Sequence, residues 1–158
     1  MSPDRALHAL VDAGVEFVLI GGWSAILHGS SLMTNDLDIC FSRKRENLRR
    51  LVQALTPFHP RLRDLPATVP FVWDEATLRN GTIFTLETDL GPIDLMAEVT
   101  GLGTFEDIAP RALTVEAFDR RVRTLDLKSL ITAKRAAGRE KDLRVLPELE
   151  SLLELEEP

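Results

Sequence analysis

The amino-acid sequence predicts an α/β (α+β) fold, in which helices pack against a mixed β-sheet and form the C-terminal part of the chain. Short apolar runs typical of strands alternate with amphipathic helical segments along the first half of the sequence. Two strand-like runs on either side of Asp89-Leu90-Gly91 indicate a hairpin, and therefore an antiparallel pair within the sheet. Elements in this order favour a sheet with helices on its surface.

The length and composition fit one domain. The chain has 158 residues, of which 44% are hydrophobic, and we expect a single unit over 1–158 with a helical end and acidic tail over 127–158. A lone cysteine, Cys40, excludes an internal disulfide, and three scattered histidines form no zinc-binding cluster. No apolar run approaches the roughly 20 residues of a membrane span, and the N-terminus lacks a signal-peptide pattern, so the sequence predicts a cytoplasmic protein without membrane contact.

The net charge of −6 does not exclude a nucleic-acid partner. Much of it comes from a C-terminal run without Lys or Arg, and the rest of the chain is nearly neutral. Basic residues gather within 43–50 and again within 128–144, so local positive fields remain. The acidic residues of the C-terminal run are Glu148, Glu150, Glu154, Glu156 and Glu157.

The chain begins with a helix, a strand and a glycine turn. Ser2-Pro3 is a good N-cap and first-turn pair, and Gly14 ends the helix that follows. The apolar run 15–20 predicts a buried strand. Gly21-Gly22 ends this strand, and the residues after it allow only about two turns of helix.

The next segments have clear periodicities. Polar and apolar residues alternate over 36–41, which predicts a strand with two unlike faces. Ser42 is expected to cap a helix that runs to about residue 55, and the four prolines of 56–70 indicate a loop. The remaining predicted elements are a short helix over 74–81, strands over 82–88 and 92–97, one or two strands within 112–125, and helices over 127–137 and 140–155 with Pro147 as a kink.

Three carboxylates are candidates for chemistry. Asp36 and Asp38 share one face of their strand because they are two residues apart. Asp94 is the polar residue of another apolar strand. If this strand is a neighbour of the first in the sheet, Asp94 lies beside Asp36 and Asp38. Two carboxylates about 4 Å apart repel each other by roughly 4 kcal/mol at an effective dielectric constant of about 20. Such a group needs cations, and Mg²⁺ is the expected one because it prefers oxygen ligands and shares them with phosphates.

The glycine turn predicts a phosphate site. Gly21 and Gly22 let the backbone approach a ligand closely, and the helix that begins there directs free N–H groups towards it. Ser24 adds a hydroxyl donor in the first turn. Lys134 lies on the inward stripe of its predicted helix, where it could reach a pyrophosphate. Arg139 and Lys141 are further candidates for the same role or for contact with the backbone of an acceptor.

The motif IGG at 20–22, followed by DLDI at 36–39, resembles the signature of the DNA polymerase β nucleotidyltransferase superfamily. Asp94, in PIDLM at 92–96, is similar to the third acid of that superfamily. The resemblance implies the nucleotidyltransferase fold and metal-assisted transfer of a nucleoside monophosphate from an NTP. Asp36 and Asp38 are then expected to bind two Mg²⁺ ions, with Asp94 on the acceptor side, and the two glycines and Ser24 to hold the phosphates.

Within this superfamily, the run GGWSAILHGSSLMTNDLDIC and the C-terminal run LITAKRAAGREKDL resemble the AbiEii-type nucleotidyltransferase toxins. This branch implies a tRNA or other RNA end as acceptor, and an antitoxin protein as partner. Lincosamide-type antibiotic nucleotidyltransferases are similar in length and also carry Gly-Gly-Trp, but the additional acid expected in their first helix is missing here. Transfer to a small molecule such as an antibiotic, and a nucleotide- or partner-binding protein without catalysis, are the alternatives.

Overall fold

The structure is a computed structural model that describes residues 3–66 and 68–156. Its helices are α1 (Pro3–Asp12), α2 (Gly21–Leu27), α3 (Arg45–Leu55), α4 (Glu75–Asn80), α5 (Phe105–Ile108), α6 (Leu127–Ala137) and α7 (Glu140–Glu156). Its strands are β1 (Phe17–Ile20), β2 (Leu37–Phe41), β3 (Arg61–Leu62), β4 (Ile83–Thr88), β5 (Gly91–Met96), β6 (Glu98–Val99), β7 (Gly103–Thr104), β8 (Leu113–Ala117) and β9 (Arg120–Thr124).

Seven strands form one mixed sheet in the order β3-β4-β5-β2-β1-β9-β8, and β6 pairs with β7 in a separate ribbon. Strands β2 and β5 run parallel, as do β1 and β9. The other neighbours in the large sheet are antiparallel, including the hairpin of β4 and β5. The mixed sheet predicted from the sequence is therefore confirmed.

Helices cover both faces of this sheet, and the alternation along β2 decides which face carries polar side chains. Leu37, Ile39 and Phe41 are fully buried in a core formed with α1, α3 and α4. Cys40 belongs to the core on the other face, which α5, α6 and α7 cover. Because successive side chains of a strand point to opposite faces, Asp38 lies on the same side as Cys40, towards α6 and α7.

The helix over 45–55 begins later than predicted, and Ser42 does not cap it. Lys44 is the N-cap residue, and its side chain makes no capping hydrogen bond. The side chain of Asn47 instead donates to the carbonyl oxygens of Ser42 (2.7 Å) and Glu16 (3.0 Å), and accepts from the Glu16 amide (2.6 Å). The start of α3 is thus tied to the segment before β1 by a contact between distant parts of the sequence.

The stretch 56–70, predicted as a loop, contains a single-turn 3₁₀ helix (Thr56–Phe58) and β3. Strand β3 has two residues and pairs only with β4 at the edge of the sheet. So short an edge strand is compatible with neighbouring prolines and leaves no periodicity in the sequence. Ser2 lies outside the described residues, whereas Gly14, with φ of +75°, follows α1 as predicted. Pro147 lies inside α7, which continues on both sides of it.

None of the helices within the described ranges has the length and apolar composition that crossing a membrane requires.

Candidate active site

The pairing of β2 with β5 brings three carboxylates together. Asp38 and Asp94 are partners in the register of these parallel strands, and Asp36 immediately precedes β2. One carboxylate oxygen from each of the three residues lies within 4.8 Å of the other two. The acids singled out in the sequence therefore form one cluster on the sheet face that α6 and α7 cover.

The surroundings of Asp38 are unfavourable for a charged carboxylate. Burial, the charge and side-chain hydrogen bond of Asp94 and the charge of Asp36 together raise the pKa of Asp38 to about 7, while the ammonium group of Lys134 acts against this increase. Its Oδ1 atom is buried and has no hydrogen-bond partner among the residues that the structure describes. A buried, unpartnered oxygen between two further carboxylates is a site that a cation would satisfy, and a set of three carboxylate ligands suits Mg²⁺.

Two glycines allow the start of α2 to lie against the cluster. Gly21 has φ of +65°, and a Cβ atom at this position would lie 2.2 Å from Oδ2 of Asp38. A Cβ atom at Gly22 would lie 2.8 Å from Cβ of Thr34, in the segment that leads to β2. The backbone conformation and the close approach of Asp38 both require glycine at residue 21.

A cleft of about 360 Å³ extends from Asp38 and Gly21 to the junction of α6 and α7. Lys134, Arg139 and Asp142 line it at this junction. A cavity of this size, lined by carboxylates, by cations and by apolar side chains, fits a ligand that has both charged and apolar parts. The larger apolar lining residues are Ile20, Ile83, Met96, Val99, Leu125 and Leu130.

Asp142 holds the two cations of the cleft. Nε of Arg139 donates to Oδ2 of Asp142 (2.7 Å), and Nζ of Lys134 lies 3.4 Å from Oδ1. Burial acts to raise the pKa of Asp142, but the Arg139 hydrogen bond and the Lys134 charge outweigh it, so that the pKa lies below its ordinary value. The sequence interpretation missed Asp142, which lies in the first turn of α7, three residues after Arg139 at the start of this helix.

Two of the predicted phosphate ligands lie away from the cleft. Ser24 is fully buried, and its hydroxyl shares a hydrogen bond of 2.6 Å with that of Thr124. Lys141 is exposed and lies near Ser31 and Arg144, on another side of α7. Because the Ser24 hydroxyl is enclosed in the core and already hydrogen-bonded, and Lys141 lies on another surface, neither residue is included in the proposed site.

Arg63 contacts the acids from the other side. Its Nη2 atom donates to Oδ1 of Asp94 (2.8 Å) and to the carbonyl oxygen of Leu86 (2.7 Å), and its Nη1 atom lies 4.0 Å from Oδ2 of Asp36. Arg63 follows β3 in the proline-rich stretch, where no periodicity or motif marks it. Sequence reasoning missed it for that reason.

Solved structures share the fold of this chain over most of its length, whereas no family model and no curated protein matches it. A lincosamide antibiotic adenylyltransferase (LnuA), solved with lincomycin, has a TM-score of 0.60 at 16% identity over 92% of each chain. A protein from Thermotoga maritima assigned as a nucleotidyltransferase has a TM-score of 0.56 at 17% identity, over 93% of this chain and 89% of its own. ANT(2″)-Ia in complex with adenylyl-2″-tobramycin has a TM-score of 0.50 at 14% identity, over 93% and 94%. The chain has the nucleotidyltransferase fold.

Proposed function

We propose that this protein is a metal-dependent nucleotidyltransferase, which moves a nucleoside monophosphate from an NTP to a hydroxyl group of an acceptor. The observation that carries the proposal is the cluster of Asp36, Asp38 and Asp94, one member of which, Asp38, lines the same cleft as Lys134 and Arg139. The nucleotidyltransferase fold supports it. The same arrangement offers ligands for a metal ion, for phosphates and for an apolar base.

Each residue has a defined role in this reaction. Asp36 and Asp38 would hold Mg²⁺, which when bound neutralises the charge that develops on the phosphates. Asp94 accepts the proton of the acceptor hydroxyl, whose oxygen then forms a bond to the α-phosphorus atom. The bond from this phosphorus atom to the bridging oxygen breaks, and pyrophosphate leaves. Lys134 and Arg139 bind the leaving phosphates.

We propose a small hydroxylated molecule as the first candidate acceptor. The sheet face that carries the acids is not the face that α3 covers, because Leu48 and Leu51 of α3 pack in the opposite core. The basic cluster within 43–50 therefore lies away from the site, and two of its arginines pair with Glu46. The solved structures with bound lincomycin or adenylyl-2″-tobramycin also favour a small acceptor.

Transfer to an RNA end is the second candidate. It rests on the resemblance of the run at 21–40 to AbiEii-type toxins, and it would bring with it a toxin role and an antitoxin partner. The cations Lys134 and Arg139 support it only in part, since both also fit the phosphates of the NTP. The two acceptor classes predict different labelled products.

The test is transfer of label from each α-³²P-labelled NTP in the presence of Mg²⁺. One set of reactions contains lincosamides and aminoglycosides, and another contains total bacterial RNA. We expect a labelled small molecule with the wild type and none with the Asp36→Asn/Asp38→Asn variant, whereas Asp4→Asn, an exposed acid on α1, should keep full activity. Labelled RNA would instead support the second candidate acceptor, an RNA end. Mg²⁺-dependent NTP binding without any transfer would indicate a binding protein, and absence of both would contradict the proposal.

A further inference from the structure

The main chain of Arg63 is fixed at the level of the carboxylate cluster. Its amide donates to the carbonyl oxygen of Thr85 on β4, at 2.8 Å. Thr85 is in turn the register partner of Asp94 in the antiparallel pair of β4 and β5. The arginine is therefore held beside Asp94 by the edge of the sheet as well as by its own side chain.

The guanidinium group of Arg63 is held by its Nη2 atom, which donates to Asp94 and to the carbonyl oxygen of Leu86. Its Nε atom is buried without a hydrogen-bond partner among the described residues and lies 3.9 Å from Oε2 of Glu87. The side chain is 23% exposed, and a partly buried arginine that donates to a carboxylate and to a backbone carbonyl has a fixed orientation. The guanidinium group of Arg63 is thus a fixed positive charge beside the three acids.

This position has a consequence for metal binding. A second divalent ion on the acceptor side would need an oxygen of Asp94 as a ligand, and Arg63 already occupies Oδ1 of that residue. An ion bound to Asp94 would also be repelled by the positive charge of this guanidinium, which is closer to Asp94 (2.8 Å) than to Asp36 (4.0 Å). The first ion, between Asp36 and Asp38, does not require the Oδ1 atom of Asp94.

We propose that Arg63 takes the place of a second divalent ion, so that the site binds one ion, held by Asp36 and Asp38, while Arg63 positions the carboxylate of Asp94. The inference rests on the proposed function, because it uses the same metal site. It assigns Arg63 as a positioning residue, which acts on the acceptor hydroxyl only through Asp94.

The test counts Mn²⁺ ions bound to the full-length protein, from the loss of the EPR signal of free Mn²⁺ on titration. The variants are Arg63→Gln and Arg63→Met, the second of which keeps an unbranched side chain against the sheet edge. The matched control is Arg61→Gln, which removes the same charge two residues earlier, where the guanidinium donates to the carbonyl oxygen of His59 (3.2 Å). Thermal unfolding of each variant establishes that it is folded.

We expect one bound ion in the wild type and in Arg61→Gln, and two in both Arg63 variants. Two ions in the wild type, or one ion in the Arg63 variants, would overturn the inference and leave the proposed function standing. Absence of bound Mn²⁺ in every variant would contradict the metal site of the proposed function itself, and this inference with it. The readout does not depend on activity.

Discussion

Asp38 has a buried oxygen that no group in the described part of the chain hydrogen-bonds, and carboxylate oxygens of two further acids lie within 4.8 Å of its own carboxylate. Such an arrangement costs stability in the folded protein, because each burial of charge and each like-charge pair is unfavourable. Arg63 relieves part of this repulsion at Asp94 and Asp36, but within residues 3–66 and 68–156 no cation forms a direct ion pair with Asp38. Local conflict of this kind is typical of residues that have a functional role.

The first prediction concerns Asp38→Asn, which removes one charge from the cluster. At about pH 8, above the pKa of about 7 of Asp38, and in the absence of divalent metal, we expect the variant to be more stable, with an increase of about 2–4 °C in Tm, because the buried charge and its repulsion from Asp94 and Asp36 are lost. Added Mg²⁺ should raise the Tm of the wild type and not that of the variant. Differential scanning calorimetry measures both. A lower Tm of metal-free Asp38→Asn would contradict this view of the cluster.

The second prediction concerns Gly21→Ala. The substitution puts a Cβ atom 2.2 Å from Oδ2 of Asp38, at a φ of +65°. We expect a stability loss of about 1–2 kcal/mol, because alanine is disfavoured in this backbone conformation. We also expect loss of nucleotidyl transfer, because the new methyl group displaces the Asp38 carboxylate. Gly14→Ala is the matched control, since Gly14 also has positive φ but its Cβ would make only ordinary contacts of 3.7 Å with Arg50. Urea unfolding and a transfer assay separate the two effects. Equal activities of the two variants would show that the contact with Asp38 is unimportant.

One buried carboxylate, that of Asp142, forms the ion pairs at the junction of α6 and α7. Asp142, whose side chain is 1% exposed, accepts from Arg139 and lies 3.4 Å from Nζ of Lys134. It therefore fixes the two cations that line the cleft. Removal of a buried carboxylate leaves its partner charges without a counter-charge. The resulting loss of stability is larger than the loss on removing one partner of an exposed ion pair.

The third prediction follows for Asp142→Asn, with a stability loss of about 1–3 kcal/mol near pH 7. Because the folded pKa of Asp142 lies below its ordinary value of 3.8, its contribution is present above that value and is lost as the pH falls through the lower folded pKa. The difference between wild type and variant in urea unfolding should thus shrink towards about pH 3. Glu140→Gln, which breaks an exposed pair with Arg144 on the same helix, should change stability little at either pH. A difference that stays constant with pH would contradict the assigned role.

Hydrogen bonds to Glu148 hold Ser30 and Ser31, which precede Asp36 in the chain, against α7. The Glu148 carboxylate accepts from the hydroxyl of Ser31 (2.6 Å), from the Ser31 amide (3.2 Å) and from the hydroxyl of Ser30. These contacts join parts of the chain that are far apart in sequence, and they limit the freedom of the loop before β2. The acidic C-terminal run thus has at least one structural role.

The fourth prediction is that Glu148→Ala increases amide hydrogen exchange over 30–36 and lowers the transfer rate by about tenfold, because Asp36 is less well positioned. Glu150→Ala is the control, since Glu150 also lies on α7 but pairs with Arg135 (2.7 Å). Exchange followed by mass spectrometry reports the loop directly. Unchanged exchange over this segment in Glu148→Ala would refute the prediction.

At the scale of the whole molecule, the sequence predicts the fold class and the three acids because both depend on local patterns. The alternation over 36–41 sets which face of β2 Asp38 occupies, and the glycine pair marks the close approach of α2. Helix α6 was predicted with its observed ends, because its apolar stripe and Gly138 are local signals. The nucleotidyltransferase fold was implied by the resemblance that these motifs carry, and the solved structures of the same fold confirm it.

The residues that sequence reasoning missed are those whose roles arise from tertiary contacts. Arg63 reaches Asp94 only because the two-residue β3 joins the edge of the sheet, and such a short strand leaves no pattern. Ser24 was assigned to phosphate binding from its place in the first turn of α2, but the parallel pairing of β1 with β9 brings Thr124 next to it. Both outcomes depend on strand order, which a single sequence does not encode locally.

The measurement that tests the central claim most directly compares α-³²P-labelled with γ-³²P-labelled NTP in the same Mg²⁺-containing reaction, with the acceptor found in the first assay. We predict that the α label moves to the acceptor and the γ label is released as pyrophosphate. With Asp38→Asn, both labels should stay in the NTP, while the variant remains folded. Transfer of the γ label, or full transfer of the α label by folded Asp38→Asn, would contradict nucleotidyl transfer at this cluster.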